Sequence, residues 1–389
     1  MLARQLGKVY SRVPDPLDRV LLNAYWRMRE KIPYPITIER VSGYDIFENQ
    51  PISILIAGRS PTTEYFLRRL IGENYSRELL GRPGRHNAAL QLCKQMERHD
   101  LTIIQGPRSW TDTAFDAGYW RVPTTIGSEV NLQFAVGEEP WVNNNNRKNL
   151  MRINQNGFVP EITHDESDFD YFYHQMYIPH IAKRFGALGQ ARSKHRMLRY
   201  LRKGALIWAS RASQRLAATL VSCDGHRATS WIAAPHPQRP GGVKSGSLGA
   251  TYLFALDWAI EQDMHRFQLG SSRACLLDGV LRHKKNWGAS LTEDPEARED
   301  LLFRWKRMTP AIYHFLHESP LVIRQGRQFS ALTTIGPASK GDMKRIETHL
   351  NSIAVAGLSN LIVIGADKRG SEVQKVKGIP VRWEWISNP

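Results

Sequence analysis

The stretch Gly270-Ser-Ser-Arg-Ala-Cys-Leu-Leu-Asp-Gly-Val-Leu-Arg-His-Lys-Lys-Asn-Trp-Gly288 gathers charged and polar side chains directly after a predicted strand, Arg266-Phe-Gln-Leu-Gly. Asp278 is a good N-cap for a helix beginning at Gly279. On that helix Val280, Lys284 and Trp287 share one face at i, i+4 and i+7. Lys284 thus sits in an apolar stripe, where a lysine either snorkels or meets an anion. Lys285 lies with Leu281, nearer the edge of that face. Arg273 follows the strand end, where ligands of open sheets gather, although a lone loop arginine is more often only solvated. Anion binding is the chemistry these residues suggest, with Lys284, Arg273 and Asp278 as the candidate catalytic positions.

A second segment, Gly241-Gly-Val-Lys-Ser-Gly-Ser-Leu-Gly249, leads into a predicted helix. A glycine-rich entry can cradle phosphate with backbone N–H groups, and Lys244 adds charge. The same composition also serves as an ordinary loop, and the Walker A spacing is not met. There is no Gly-x-Ser-x-Gly and no His-Glu-x-x-His, and the 13 histidines show no metal spacing along the chain. The three cysteines, Cys93, Cys223 and Cys275, imply no disulfide framework, and Cys275 reads as a buried apolar thiol.

Charge points the same way as the motifs. The 389 residues carry a net charge of +16. Between Tyr171 and Leu256 there are 13 Lys plus Arg and a single carboxylate, Asp224, so this block holds 13 − 1 = +12. Such a run is either a solvated face or an anion-binding surface. Nucleic-acid binding would need stacking aromatics among the basic residues. Tyr200 and Trp208 are available, but Trp208 reads as core. With 11 Trp, 13 Tyr and 13 Phe the chain must bury a core, which excludes dominant disorder. Its apolar runs are too short for a membrane helix, and a cytoplasmic location, extending to the inner membrane surface, is expected.

These residues need elements to hold them. Helices are predicted over 16–30, 62–72, 86–98, 147–155, 196–201, 247–262 and 340–356. Another is capped by Ser167 or Asp168, uses Phe169, Phe172, Met176 and Ile181, and is kinked at Pro179. Strands are predicted over 52–57, 101–104, 130–136, 206–209, 215–222, 227–234, 266–270, 360–366 and 380–385. Asp224-Gly225 reads as a hairpin turn, and the acidic run Thr292 to Asp300 as a separator before the tail.

Three stretches resemble the GCN5-related N-acyltransferase (GNAT) superfamily, in its branch of Fem-type peptidyltransferases and polysaccharide-biosynthesis acyltransferases. Tyr177-Ile-Pro-His-Ile-Ala-Lys-Arg-Phe-Gly resembles the first-helix pattern Y-x-P…R-x-G. Ala250 to Gly270 resembles the buried helix and its following strand. Asp278-Gly-Val-Leu-Arg-His-Lys-Lys-Asn-Trp-Gly resembles D-G-[LV]-x-R-x-K-x-x-[FW]-G. The resemblance covers roughly residues 169–289.

It implies an α/β (α+β) GNAT fold with a mixed, largely antiparallel sheet. It further implies a divergent N-terminal GNAT-like domain (1–150) and an acyltransferase domain (151–325); the tail has no counterpart in the family and reads from its own pattern as a small βαβ-like extension (326–389). The activity implied is N-acyl transfer from a thioester, acyl-CoA, to an amine of a sugar, cell-wall or polysaccharide precursor, with no metal. Tyr177, Arg184, Ser271, Arg282 and Lys285 then fall on the substrate side. Lys244, Gly246, Ser247, Gly249 and Ala233 fall on the cofactor side, with a backbone N–H in the Trp231–Ala234 region as oxyanion donor. The coenzyme-A loop is only approximated by Lys244-Ser-Gly-Ser-Leu-Gly-Ala, and no coiled-coil arm for tRNA is visible. An aminoacyl-tRNA donor and non-catalytic nucleic-acid binding stay as alternatives. So does a phosphorylated glycan precursor as the partner.

Overall fold

In the computed structural model the described residues are 24, 35–135, 137–186, 191–238, 246–336, 342–365 and 373–385. The helix expected over 16–30 and Lys244 lie outside them. The strands in chain order are β1 (Ile38–Tyr44), β2 (Pro51–Ala57), β3 (Tyr75–Gly81), β4 (Leu101–Pro107), β5 (Trp120–Pro123) and β6 (Ile126–Asn131). Then follow β7 (Val159–Thr163), β8 (Gly204–Arg211), β9 (Gln214–Asp224), β10 (Arg227–Pro235), β11 (Arg266–Ser272) and β12 (Ser290–Thr292). The remainder are β13 (Glu299–Trp305), β14 (Leu321–Gln325), β15 (Gln328–Thr334), β16 (Leu358–Gly365), β17 (Lys375–Val376) and β18 (Ile379–Trp385). Four helices matter below: α1 (Pro61–Ile71), α2 (Lys194–Leu201), α3 (Ser247–Glu261) and α4 (Gly279–Asn286).

The fold is mixed α/β with three sheets. The chain forms two compact units, named here for their place in the sequence. Among the described residues, a central unit comprises residue 24 and those of 127–270 and 283–290, and a flanking unit comprises those of 35–126, 271–282 and 291–385. These units cut the chain differently from expected boundaries at 150 and 325. The run expected to be an acidic separator supplies β13, which pairs with β4 from Glu299↔Pro107 to Trp305↔Leu101. Residues 326–389 do contain a parallel strand–helix–strand, β15 and β16 joined through the helix Met343–Ile353. They share one core with Ile54, Phe66 and Phe303, so they are an integral part of the flanking unit.

In the central unit the sheet order is β12-β6-β11-β10-β9-β8-β7. Strands β7 to β10 run antiparallel in sequence, as successive short connections favour. The hairpin at Asp224-Gly225 forms as expected, with Gly225 at φ +58. β11 returns parallel to β10 through α3. The apolar alternation over Val130–Val136 had suggested a strand there; β6 instead ends at Asn131. The helix over the late 160s starts at Asp165, whose side chain accepts from Ser167 N–H, and runs through a π-helix, Phe172–Tyr177, before Ile178–Phe185. Pro179 is the second residue after the π-helix, so the change of helical hydrogen bonding falls directly before the residue that cannot donate. Trp208 is core, fully enclosed beside Phe172 and Leu220.

Candidate functional site

The central sheet opens between β10 and β11. These strands pair only over Arg227↔Arg266, Ala228↔Phe267 and Thr229↔Gln268. β10 then continues to Pro235 with β9 as its ladder partner, and the register slips between Ser230 and Ile232. Trp231 is the extra residue of this β-bulge, a device that re-aims backbone groups. Gly270 marks where the strands part. Its φ is +71, and a Cβ there would lie 3.3 Å from the Ser230 carbonyl oxygen.

Side chains hold this opening from both sides. Below the bulge, the buried Thr219 hydroxyl lies 2.9 Å from Ser230 Oγ and donates to the Ile232 carbonyl at 3.2 Å, bracketing Trp231. The Trp231 indole donates to Ser222 Oγ at 2.8 Å. Its ring stacks on Tyr200 of α2 with centroids 3.8 Å apart and planes within 3°. Arg192 lies over the Trp231 ring and Arg196 over the Tyr200 ring. The π-helix joins this network: Tyr173 Oη donates to the Arg192 carbonyl at 2.6 Å, and Tyr177 Oη accepts from the Arg192 N–H at 3.1 Å. Burial raises the pKa of both phenols. Tyr177, expected to face substrate, thus has its hydroxyl engaged in holding residue 192.

Lys284 is buried at 2% exposure, as its place in an apolar stripe demanded. It neither snorkels nor needs a bound anion to be satisfied: Nζ donates to the Gly270 carbonyl at 2.7 Å. That bond pins the end of β11 where the sheet opens. One residue earlier, His283 packs against Tyr252 and accepts at Nε2 from the Trp287 indole at 3.2 Å. Burial, aided by the Arg184 and Lys284 charges, lowers its pKa to about 4. It is a neutral packing histidine that the sequence had not singled out.

On the expected cofactor side, α3 begins behind Gly246, a left-handed residue at φ 92 that offers no capping side chain. Ser247 is fully buried, and Gly249 is needed for close packing, since a Cβ would meet Asn149 at 2.7 Å. Ala233 lies on β10 opposite Thr219, beyond the bulge. Arg184, on the helix Ile178–Phe185, is exposed, and Lys285 is half-buried.

The other candidates belong to the flanking unit. Asp278 caps α4 as expected, accepting at Oδ1 from Val280 N–H at 2.9 Å, and at Oδ2 from Tyr65 Oη at 3.0 Å. Arg273 stacks over the Tyr65 ring at 4.4 Å. Burial raises the Tyr65 and Cys275 pKa values, so neither ionises near neutrality. Ser271 is half-buried and Arg282 exposed. The proposed catalytic set is thus divided, with Lys284 in one unit and Arg273 and Asp278 in the other.

The basic block is partly compensated. Lys194 pairs with Asp170, Arg202 with Glu166, and Arg215 with both Glu161 and Asp168. These acids lie just upstream of the block 171–256, so a count over that block overstates the local field. Hydrogen bonds from Arg215 hold Glu161 and Asp168 below the usual carboxylate range.

No protein-family model matches the sequence, and no curated protein matches it. Among solved structures, the chain is similar to L-PGS from Bacillus licheniformis at 13% identity and a TM-score of 0.33, over 71% of this chain and 87% of that one. It is also similar to FemX at 11% identity and a TM-score of 0.36, over 64% and 80%. A third is a GCN5-related N-acetyltransferase from Sphaerobacter thermophilus at 11% identity and a TM-score of 0.30, over 53% and 60%. Acyltransferases of the GNAT and Fem type, the resemblance read from the sequence motifs, are thus among the structures this chain is similar to. Among the described residues, no helix is long and apolar enough to cross a membrane.

Proposed function

We propose that the central unit is an N-acyltransferase that takes its acyl group from a thioester, acyl-CoA, and delivers it to an amine of a sugar, cell-wall or polysaccharide precursor. One observation carries this reading: β10 runs on past its last pair with β11 and carries a bulge at Trp231. An open strand edge offers N–H and C=O groups to an extended amide-bearing chain, the same bonding that adds a strand to a sheet. Backbone N–H groups from Trp231 to Ala233 are the candidate donors to a carbonyl that gains negative charge on attack. The start of α3 at Gly246 and Ser247, the positive end of a 15-residue helix, is the candidate contact for an anionic diphosphate.

A thioester bound there supplies an activated carbonyl carbon. Attack by a neutral amine forms the C–N bond and breaks the C–S bond, the thiol leaves, and the amine proton passes to solvent or to the departing sulfur. This chain's part is to hold the carbonyl against the strand donors, with Lys284 keeping Gly270 and the opening in place. Lys284 is thereby a positioning residue. Arg184 and Lys285 are the cations of this unit assigned to the acceptor. The Tyr200 and Trp231 faces already stack on one another, which leaves little for a nucleobase and counts against simple nucleic-acid binding.

Thermal melting with acetyl-CoA, longer acyl-CoAs, free coenzyme A and total tRNA tests the proposal. A rise in Tm with CoA species, by preferential binding to the native state, is expected. It should be joined by amine-dependent thiol release. A rise with tRNA alone, fading with salt, would instead assign an aminoacyl-tRNA donor.

A further inference from the structure

The closed end of the same strand pair carries a second set of functional groups. His226 directly precedes β10 and His265 directly precedes β11. The register Arg227↔Arg266 makes these two histidines neighbours. The His226 carbonyl accepts from the N–H groups of both His265 (2.9 Å) and Arg266 (3.2 Å), which fixes the two backbones together. The imidazole rings lie face to face with centroids 4.3 Å apart. Asp263 joins them from the end of α3. Met264 N–H bonds to the Ala259 carbonyl and Asp263 N–H to the Ile260 carbonyl, the double closure of a Schellman motif. Asp263 holds its left-handed position at φ 55, where glycine is the usual choice.

One ligand atom from each of His226, Asp263 and His265 lies within 4.8 Å of the others. Among the described residues none of the three side chains makes a hydrogen bond or ion pair. The neighbouring cations, Arg227 and Arg266, are both engaged with Glu129. We propose that His226, His265 and Asp263 form a binding site for a divalent first-row transition metal of the zinc class, independent of the acyl-transfer reading. Two imidazole nitrogens and one carboxylate oxygen suit zinc and its borderline neighbours, and disfavour calcium and magnesium, which take oxygen ligands. Parallel ring planes cannot share an in-plane ligand, so one ring turns about χ2 on binding. His226 is exposed, and its rotation gives up the stack on His265. Three protein ligands leave a fourth position to water. The ion would staple the β9–β10 turn to the α3–β11 connection, at the end of the strand pair away from its opening.

The test uses untagged full-length protein treated with EDTA and then titrated calorimetrically with Zn2+, alongside thermal melting. One ion per chain and a raised Tm are expected. His226→Ala, His265→Ala and Asp263→Asn should each weaken Zn2+ binding by about tenfold or more, the least that loss of a direct ligand should cost. Their melting in EDTA should match the parent, which separates ligand loss from misfolding. Substituting exposed Cys93 by Ser should leave the titration unchanged. No saturable binding, or binding that survives His226→Ala combined with His265→Ala, would overturn the site.

Discussion

The two units contain a comparable construction and finish it in opposite ways. Each has a parallel strand pair with a helix entered from the first strand. In the flanking unit β2 pairs with β4 from Ile54↔Leu101 to Ala57↔Ile104 and ends there. Gly58 then packs so close that a Cβ would lie 2.6 Å from the Gln105 carbonyl oxygen. Ser60 caps α1 by accepting from Thr62 and Thr63 N–H. Gln105 accepts from Ser60 and Thr63 and donates to Glu299. In the central unit β10 overruns its pairing with β11, bulges at Trp231, and is followed by α3, whose N-cap position is a glycine without a side chain. The lesson is about satisfaction of polar groups. Where strand end and helix start are saturated from within, the element is scaffold; where a strand runs past its partner, its edge can bind one.

Several substitutions would break or sharpen this contrast. The largest effect belongs to Asp300, fully buried in the flanking unit, where it accepts from Arg108 Nε at 3.0 Å and Arg324 Nε at 2.8 Å. Asp300→Ala takes the buried partner from two arginines, leaving Arg108 to Glu293 and Arg324 to Asp112, and should cost about 3 kcal/mol in urea unfolding, at the low end for breaking a buried ion pair. Acyl transfer per folded molecule should hold; its selective loss would put chemistry in the unit assigned to scaffold.

Acid should then act on both units. Burial lowers His283 to about 4 and His349 to about 3, from 6.5. Each imidazole stays neutral in the fold while the unfolded chain takes up a proton below 6.5. Their contribution is therefore complete above pH 6.5 and is lost as pH falls towards those values. Each adds a slope of at most about 1.4 kcal/mol per pH unit. Comparing unfolding of the parent and His349→Gln between pH 7 and 4.5 should show the variant with the shallower dependence; equal slopes would remove His349 as a buried neutral group.

Lys284→Met should cost about 1–3 kcal/mol by leaving the Gly270 carbonyl unpaired. It should also reduce acyl transfer beyond the loss of folded protein, and unchanged turnover would deny Lys284 its positioning role. The smallest effect is expected of Ser60→Ala, about 1 kcal/mol for a lost N-cap, with transfer unaffected. A drop in activity there would contradict the assignment of this helix start to scaffold.

Much of the scaffold was legible from local pattern. The helix Arg147–Gln155 and strands β8 to β10 follow from periodicity, and Asp278 caps α4 as its side-chain chemistry suggests. β13 was hidden because Glu299 and Asp300 read as solvated acids. They are strand residues because Gln105, Arg108 and Arg324 meet them in space. The same distance in sequence concealed the acids that neutralise Lys194, Arg202 and Arg215, and the stacking of Tyr200 on Trp231.

What the sequence determined alone is what neighbours within a few residues decide: caps, turns, amphipathic faces, and the burial of Lys284 in an apolar stripe. Tertiary structure decided the rest. It paired Lys284 with the Gly270 carbonyl, set the Tyr177 hydroxyl against the Arg192 N–H, and let β10 outrun β11. The reason is physical. Strand partnership and register are set by pairings between distant segments, whose side chains reach the right face only in one alignment. A bulge or an opening exists only once both strands are in place.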